Sequence, residues 1–157
     1  MSTYLGFKPS DDPVFCFISY NSDDAERIKD IVKVMSESGI NVWYDHGIEI
    51  GEKWEEVIVE KLQKAQAVIL FLTKAVLKKE DPYARKEYKW AKEHFKKKVI
   101  TIFMDDITLS DVPVKMIPWW DDIMETQILK KKDFPDINSM VSVVASALGI
   151  NPKKKAG

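Results

Sequence analysis

A chain of 157 residues matches one domain of ordinary size, and 45% apolar residues suffice for a core of two or three layers. Its 24 basic and 25 acidic residues leave a formal net charge of -1, so no global field draws it to nucleic acid or to an anionic membrane. One cysteine and two histidines exclude an internal disulfide framework and a structural zinc set, and they point to a reducing, cytoplasmic setting.

No basic stretch followed by an apolar run opens the chain, and no apolar run nears the roughly 18 residues that cross a bilayer, so neither export nor membrane insertion is expected. Residues 1–13 carry Gly6, Pro9, Pro13 and an acidic pair without periodicity, and residues 151–157 close on Lys153, Lys154 and Lys155. Both ends are expected to be flexible and solvated around a domain at 14–150.

Residues 14–20 form a short apolar run bounded by Pro13 and Asn21, the mark of a strand covered on both faces. Ala25, Ile28, Val32 and Met35 then recur at helical spacing. Asn21 or Ser22 is placed to cap that helix, and Gly39 to end it in a left-handed conformation. Residues 40–44 predict a second strand, Trp54, Val57, Ile58, Leu62 and Ala65 a second helical stripe, and residues 67–72 a buried third strand. Asp81 and Pro82 predict the cap and first residue of another helix, with Ala84, Tyr88, Ala91 and Phe95 turned inward. A fourth strand at 99–104 follows. Beyond Asp105, residues 126–129 predict a short fifth strand, and Val141, Val144, Ala145 and Leu148 a closing helix ended by Gly149. Trp119 and Trp120 read as anchors of the irregular segment between them.

Strands alternating with helices demand crossover connections and hence a parallel α/β sheet. For five strands the common order is 2-1-3-4-5, which opens a ligand crevice beyond the carboxyl ends of strands one and three. The loops at 19–22, 45–51 and 73–81 meet there, as does the start of the helix at Pro82. Glu87 follows Tyr83 by four residues and so shares its helix face. It also borders the apolar stripe, where a carboxylate must be paired, hydrogen-bonded or kept for chemistry. Spacing alone favours a solvated surface role for Glu87, and core or groove-edge packing for Tyr83 and Trp54. Ser19 reads as a strand-end hydrogen-bonding group, because neither His46 nor His94 offers a triad context, and Cys16 as inert packing.

The succession Phe17-Ile-Ser-Tyr20, Gly39-Ile-Asn-Val-Trp-Tyr-Asp45, Ile50-Gly51 with Trp54, residues 67–73, and Tyr83-Ala-Arg-Lys-Glu87 with Trp90-Ala91 resembles a Toll/interleukin-1 receptor (TIR) domain of bacterial type across 14–104. The resemblance implies a flavodoxin-like three-layer fold. As in the NAD+-cleaving branch of the family, it also implies an NAD+ glycohydrolase or cyclase that releases nicotinamide and forms ADP-ribose or a cyclic ADP-ribose. It places the catalytic glutamate on Glu87, the aromatic residue one turn earlier on Tyr83, and a gating loop on 45–53. By the same resemblance Tyr20, Asn21 and Ser22 line the adenosine or ribose side, Trp54 stands behind the gating loop, and Asp45, Ile50 and Gly51 complete the substrate-binding set. NAD+ is then a consumed substrate, with no metal or other cofactor.

Three departures from the family pattern bear on how the pyrophosphate is held. Asp81 stands where many members have serine, Ala84 where cysteine or valine is common, and Asn21 with Ser22 where an arginine is often found. The implied partners are further copies of the chain through TIR–TIR contacts and an effector sensing the nucleotide product, in antiphage immunity. The alternative is a non-catalytic TIR–TIR interaction module, an adaptor or virulence factor. A phosphoacceptor receiver is set aside, because Tyr20, Asn21 and Thr73 occupy the places of its acids.

Overall fold

A computed structural model describes residues 4–45 and 53–151. The apolar runs found along the chain become strands β1 (Cys16–Ser19), β2 (Val42–Trp43), β3 (Ala67–Leu72), β4 (Lys98–Phe103) and β5 (Gln127–Lys130). All neighbouring pairs are parallel, in the order β2-β1-β3-β4-β5, as expected from the alternation of strands and helices. Helices α1 (Ala25–Glu37), α2 (Trp54–Lys64), α3 (Lys74–Lys78), α4 (Tyr83–Lys89), α5 (Ile117–Met124) and α6 (Ile137–Ala147) supply the crossovers and the close of the chain.

Successive side chains of a strand point to opposite faces, so one sheet feeds two cores. Cys16, Ile18, Ile69, Phe71, Ile100 and Ile102 pack with Ile28, Val32 and Met35 of α1 and with Val141 and Val144 of α6. Phe17, Val68, Leu70, Leu72, Val99 and Phe103 pack on the other face with Ile58 and Leu62 of α2, Ala84 and Tyr88 of α4, and Trp119, Trp120 and Ile123 of α5. Helix, sheet and helix make the three-layer, flavodoxin-like arrangement. Each fully buried branched side chain contributes about 1.5–3 kcal/mol, so these two cores hold the sheet edge rigid where the loops meet.

Several boundaries differ from the sequence expectation, each for a local reason. The first strand is shorter than 14–20, because its ladder runs from Cys16, which pairs with Val42 on one side and Ala67 on the other. Likewise β2 keeps only Val42 and Trp43 of the run at 40–44. Neither Asn21 nor Ser22 caps α1. A 3-10 turn (Ser22–Asp24) comes first, no side chain caps it, and the buried carboxylate of Asp24 instead accepts a hydrogen bond from Thr73 Oγ1 at 2.8 Å. Pro82 precedes α4 as its cap rather than forming its first residue. That helix then widens into a π turn (Trp90–His94) and stops at Lys96, whose φ of 52° is left-handed. The last two strands begin one residue away from expectation: β4 starts at Lys98, and β5 is shifted to 127–130. Trp119 and Trp120 do anchor their segment, but from α5, which begins with Pro118 in its first turn. The closing helix is longer than its stripe, starting at Ile137 with Asp136 accepting from the Ser139 amide at 2.7 Å. Gly39 and Gly149 end α1 and α6 with φ of +94° and +71°, as their positions in the sequence require.

The N-terminal residues are not wholly solvated. Leu5 is buried in the α1-side core, its amide donates to the Tyr44 hydroxyl at 3.2 Å, and that hydroxyl donates to the Phe7 carbonyl. Phe7 meets the Tyr44 ring edge-on at 5.6 Å, and the Ser10 amide donates to the Val42 carbonyl at 2.9 Å. The physical reason is the outer edge of β2, which pairs with no further strand among the described residues and offers its carbonyl to this segment. Among the described residues no helix is long and apolar enough to cross a membrane.

Candidate functional site

Ser19 ends β1, and alternation sends its side chain after Phe17 to the α4 side, while Ile18 and Tyr20 face α1. Glu87 reaches the same place from the second turn of α4. Ser19 Oγ donates to Glu87 Oε1 at 2.7 Å, and the two residues are only 1% and 6% exposed. Of the two orientations that the sequence left open for Glu87, the structure has the inward one. Burial pushes its carboxyl from an ordinary 4.5 up to about 8, with the negative charge of Asp45 adding to the rise and the Ser19 hydroxyl opposing it. At neutral pH this acid is largely protonated and gives up its proton slightly above neutrality.

One turn before Glu87, Tyr83 stacks at a tilt on Trp54, the first residue of α2, with ring centroids 4.9 Å apart and planes at 49°. Trp90, a turn after Glu87, meets Tyr83 edge-on at 6.1 Å. Lys86 Nζ lies over the Tyr83 and Trp90 rings at 5.8 and 5.2 Å and pairs with Glu55 at 3.3 Å. Trp54 is 38% exposed and so presents part of its indole to solvent, whereas the buried Tyr83 hydroxyl has no hydrogen-bond partner among the described residues. Burial, then the charges of Glu87, Glu55 and Asp45, raise the Tyr83 phenol above its usual range and keep it a neutral donor.

The other expected site residues take distinct positions. Tyr20 is buried on the α1 face, 6.4 Å from the Tyr44 ring, with its hydroxyl donating to the Asp45 carbonyl at 3.4 Å. It ties the end of β2 to the end of β1 from the face opposite Ser19 and Glu87. Asn21 and Ser22 are half-buried in the loop after β1, and the buried Nδ2 of Asn21 has no partner among the described residues. Ile50 and Gly51, with most of the loop expected to gate the site, lie outside the described residues.

A polar brace missed by the sequence reading secures this edge. Thr73 holds Asp24, while Asp105 accepts from Arg27 Nη2 at 2.7 Å and from the Lys74 amide at 2.9 Å, joining α1 to the ends of β3 and β4. The guanidinium of Arg27 holds the Asp105 carboxyl below its ordinary value. A separate groove of about 430 Å³ runs between α4 and α5, lined by Arg85, Tyr88, Lys89, Trp119, Asp122 and Glu125 among others. It uses the helix face that Glu87 does not, and it carries none of the candidate chemistry.

The fold and the crevice define an open, doubly wound α/β domain with a buried acid and an aromatic pair at the carboxyl edge of its sheet. The sequence profile described as "TIR domain" matches residues 16–131, and the chain belongs to the TIR family. No curated protein matches it in sequence. Solved structures with the same fold include the TIR domains of the activated Roq1 resistosome that directly recognises the pathogen effector XopQ. That match has 12% identity over 85% of this chain and 98% of the other, with a TM-score of 0.64. The TIR domain heterodimer of RPS4 and RRS1 is similar at 14% identity over 87% and 96% of the two chains, with a TM-score of 0.62. A metazoan TIR-STING receptor from C. gigas in complex with 2',3'-cGAMP is similar at 19% identity and a TM-score of 0.59. There the match covers 88% of this chain and 42% of the receptor.

Proposed function

We propose that this TIR domain cleaves NAD+ at the bond between nicotinamide and ribose. The observation that carries this reading is the Glu87 carboxyl, buried at the carboxyl edge of β1, hydrogen-bonded to Ser19 and one helical turn from the Tyr83–Trp54 pair. The nicotinamide ring is cationic before it leaves and neutral after, because it departs with the electron pair of the breaking bond. No second acid has to protonate it, unlike an ordinary glycoside leaving group. One carboxylate is enough to hydrogen-bond the ribose hydroxyls and to stabilise the positive charge that develops on the sugar.

Trp54 and Tyr83 supply flat apolar faces for nicotinamide or adenine and exclude water from the bond. Capture of the sugar by water gives ADP-ribose and a proton; capture by a nucleophilic atom of the same substrate gives a cyclic ADP-ribose. Either product suits a nucleotide signal sensed by a downstream effector in antiphage immunity. Asn21 Nδ2, which has no partner among the described residues, and the neighbouring Ser22 are suited to the ribose or adenosine side, while Tyr20, on the opposite face, holds the Asp45 backbone that borders the site.

Incubation of concentrated protein with NAD+, with chromatographic separation of the products, tests the reading. Glu87→Gln should lower kcat by roughly two to three orders of magnitude while the fold persists. NAD+ left intact at every protein concentration refutes it and favours the second reading, a non-catalytic TIR–TIR module, which the TIR assemblies among the structural neighbours support. Association of copies also suits the enzyme, and specific activity is then expected to rise with protein concentration.

A further inference from the structure

We propose that Ser19 is a positioning residue for Glu87: its hydroxyl engages Oε1, fixes the side-chain rotamer of the acid, and leaves Oε2 for the hydroxyls of the sugar. The inference rests on the NAD+-cleaving reading above and assigns to that site a residue whose sequence suggested only strand-end hydrogen bonding. Three observations carry it. The contact is short, 2.7 Å, between residues 68 apart in sequence. Both partners are nearly inaccessible, so bulk water does not compete for the bond. The rest of that sheet face near the contact is apolar, with Phe17 on β1 and Leu70 and Leu72 on β3, so a hydroxyl there is not needed to fill space.

The surroundings of Glu87 make the bond consequential. From the end of β2, Asp45 repels a second negative charge; from α4, Tyr83 is a neutral phenol; Lys86 is engaged with Glu55 of α2; and β3 brings no charged group. Among the described residues Ser19 is therefore the one hydrogen-bond donor that stabilises the ionised carboxylate. An alanine in its place leaves that charge buried beside Asp45 with no donor, and the proton is held to higher pH.

The test is a carboxyl NMR titration of the full chain labelled with [13C]glutamate, with Glu87→Gln used to assign the resonance. In Ser19→Ala the midpoint of Glu87 should rise by about one unit or more, and Ser19→Thr, which keeps the hydroxyl, should return it to within a few tenths. Ser19→Cys, close in size and a weaker donor, should fall between them and carries the comparison if the alanine variant does not fold. In NAD+ cleavage the acid limb of kcat/KM moves up with the midpoint. At a pH above both limbs, KM should change less than about twofold. A midpoint that stays or falls in both Ser19→Ala and Ser19→Cys overturns the inference. A wild-type protein that leaves NAD+ intact overturns the functional reading instead, while the titration still decides whether Ser19 holds Glu87.

Discussion

Replacing Glu87 by glutamine while varying pH isolates the energetic consequence of burying this acid. The wild-type carboxyl titrates near an ordinary 4.5 when unfolded and at about 8 when folded. Between those values the folded protein keeps a proton that the unfolded chain releases, so stability falls as pH rises through this window. At about 1.4 kcal/mol per pH unit the loss is on the order of 4 kcal/mol by pH 8.5. For a domain of this size that is a drop of roughly 10 °C in Tm. Glutamine carries no proton to release, and its side-chain carbonyl still accepts the Ser19 hydroxyl. The variant should match the wild type near pH 5 and exceed it increasingly toward pH 8.5, in circular dichroism melts or urea titrations. Acid-side losses, such as protonation of Asp105 beside Arg27, occur in both proteins and cancel in the difference. A stability difference that stays constant from pH 5.5 to 8.5 refutes an inward, desolvated Glu87.

In NAD+ cleavage, kcat/KM should rise with pH through a limb near 8, set by Glu87 in the free protein, while the limb in kcat lies lower because the cationic nicotinamide ring of the bound substrate favours the carboxylate. Equal limbs argue against Glu87 meeting the charged ring. Tyr83→Phe removes a buried hydroxyl that has no partner among the described residues and should leave urea stability unchanged or slightly higher; a loss above about 1 kcal/mol means that the hydroxyl is bonded. Thr73→Val strips Asp24 of its donor at nearly constant volume and should cost about 1–3 kcal/mol in the same measurement. Cys16, fully buried with its thiol pushed up to about 12, should resist iodoacetamide at pH 8 until the protein unfolds, and rapid native labelling contradicts that placement.

What the amino-acid order determined by itself is local. Apolar runs at 14–20 and 67–72, the helical stripes, and Gly39 and Gly149 are each read within one window of chain, because strand and helix periods repeat over a few residues. From these follow the α/β class, the crossover topology and the shared helix face of Tyr83 and Glu87. Alternation even places Ser19 on the same sheet face as Phe17. It does not say which residue of α4 meets Ser19, because that depends on how far α4 slides along the sheet. Only tertiary structure decided that Glu87 points inward, that Asp24 binds Thr73 instead of capping α1, that Tyr20 faces away from Glu87, and that Leu5 returns to cover the edge of β2. Each of these joins segments tens of residues apart, where sheet register and the burial of polar groups outweigh local propensity.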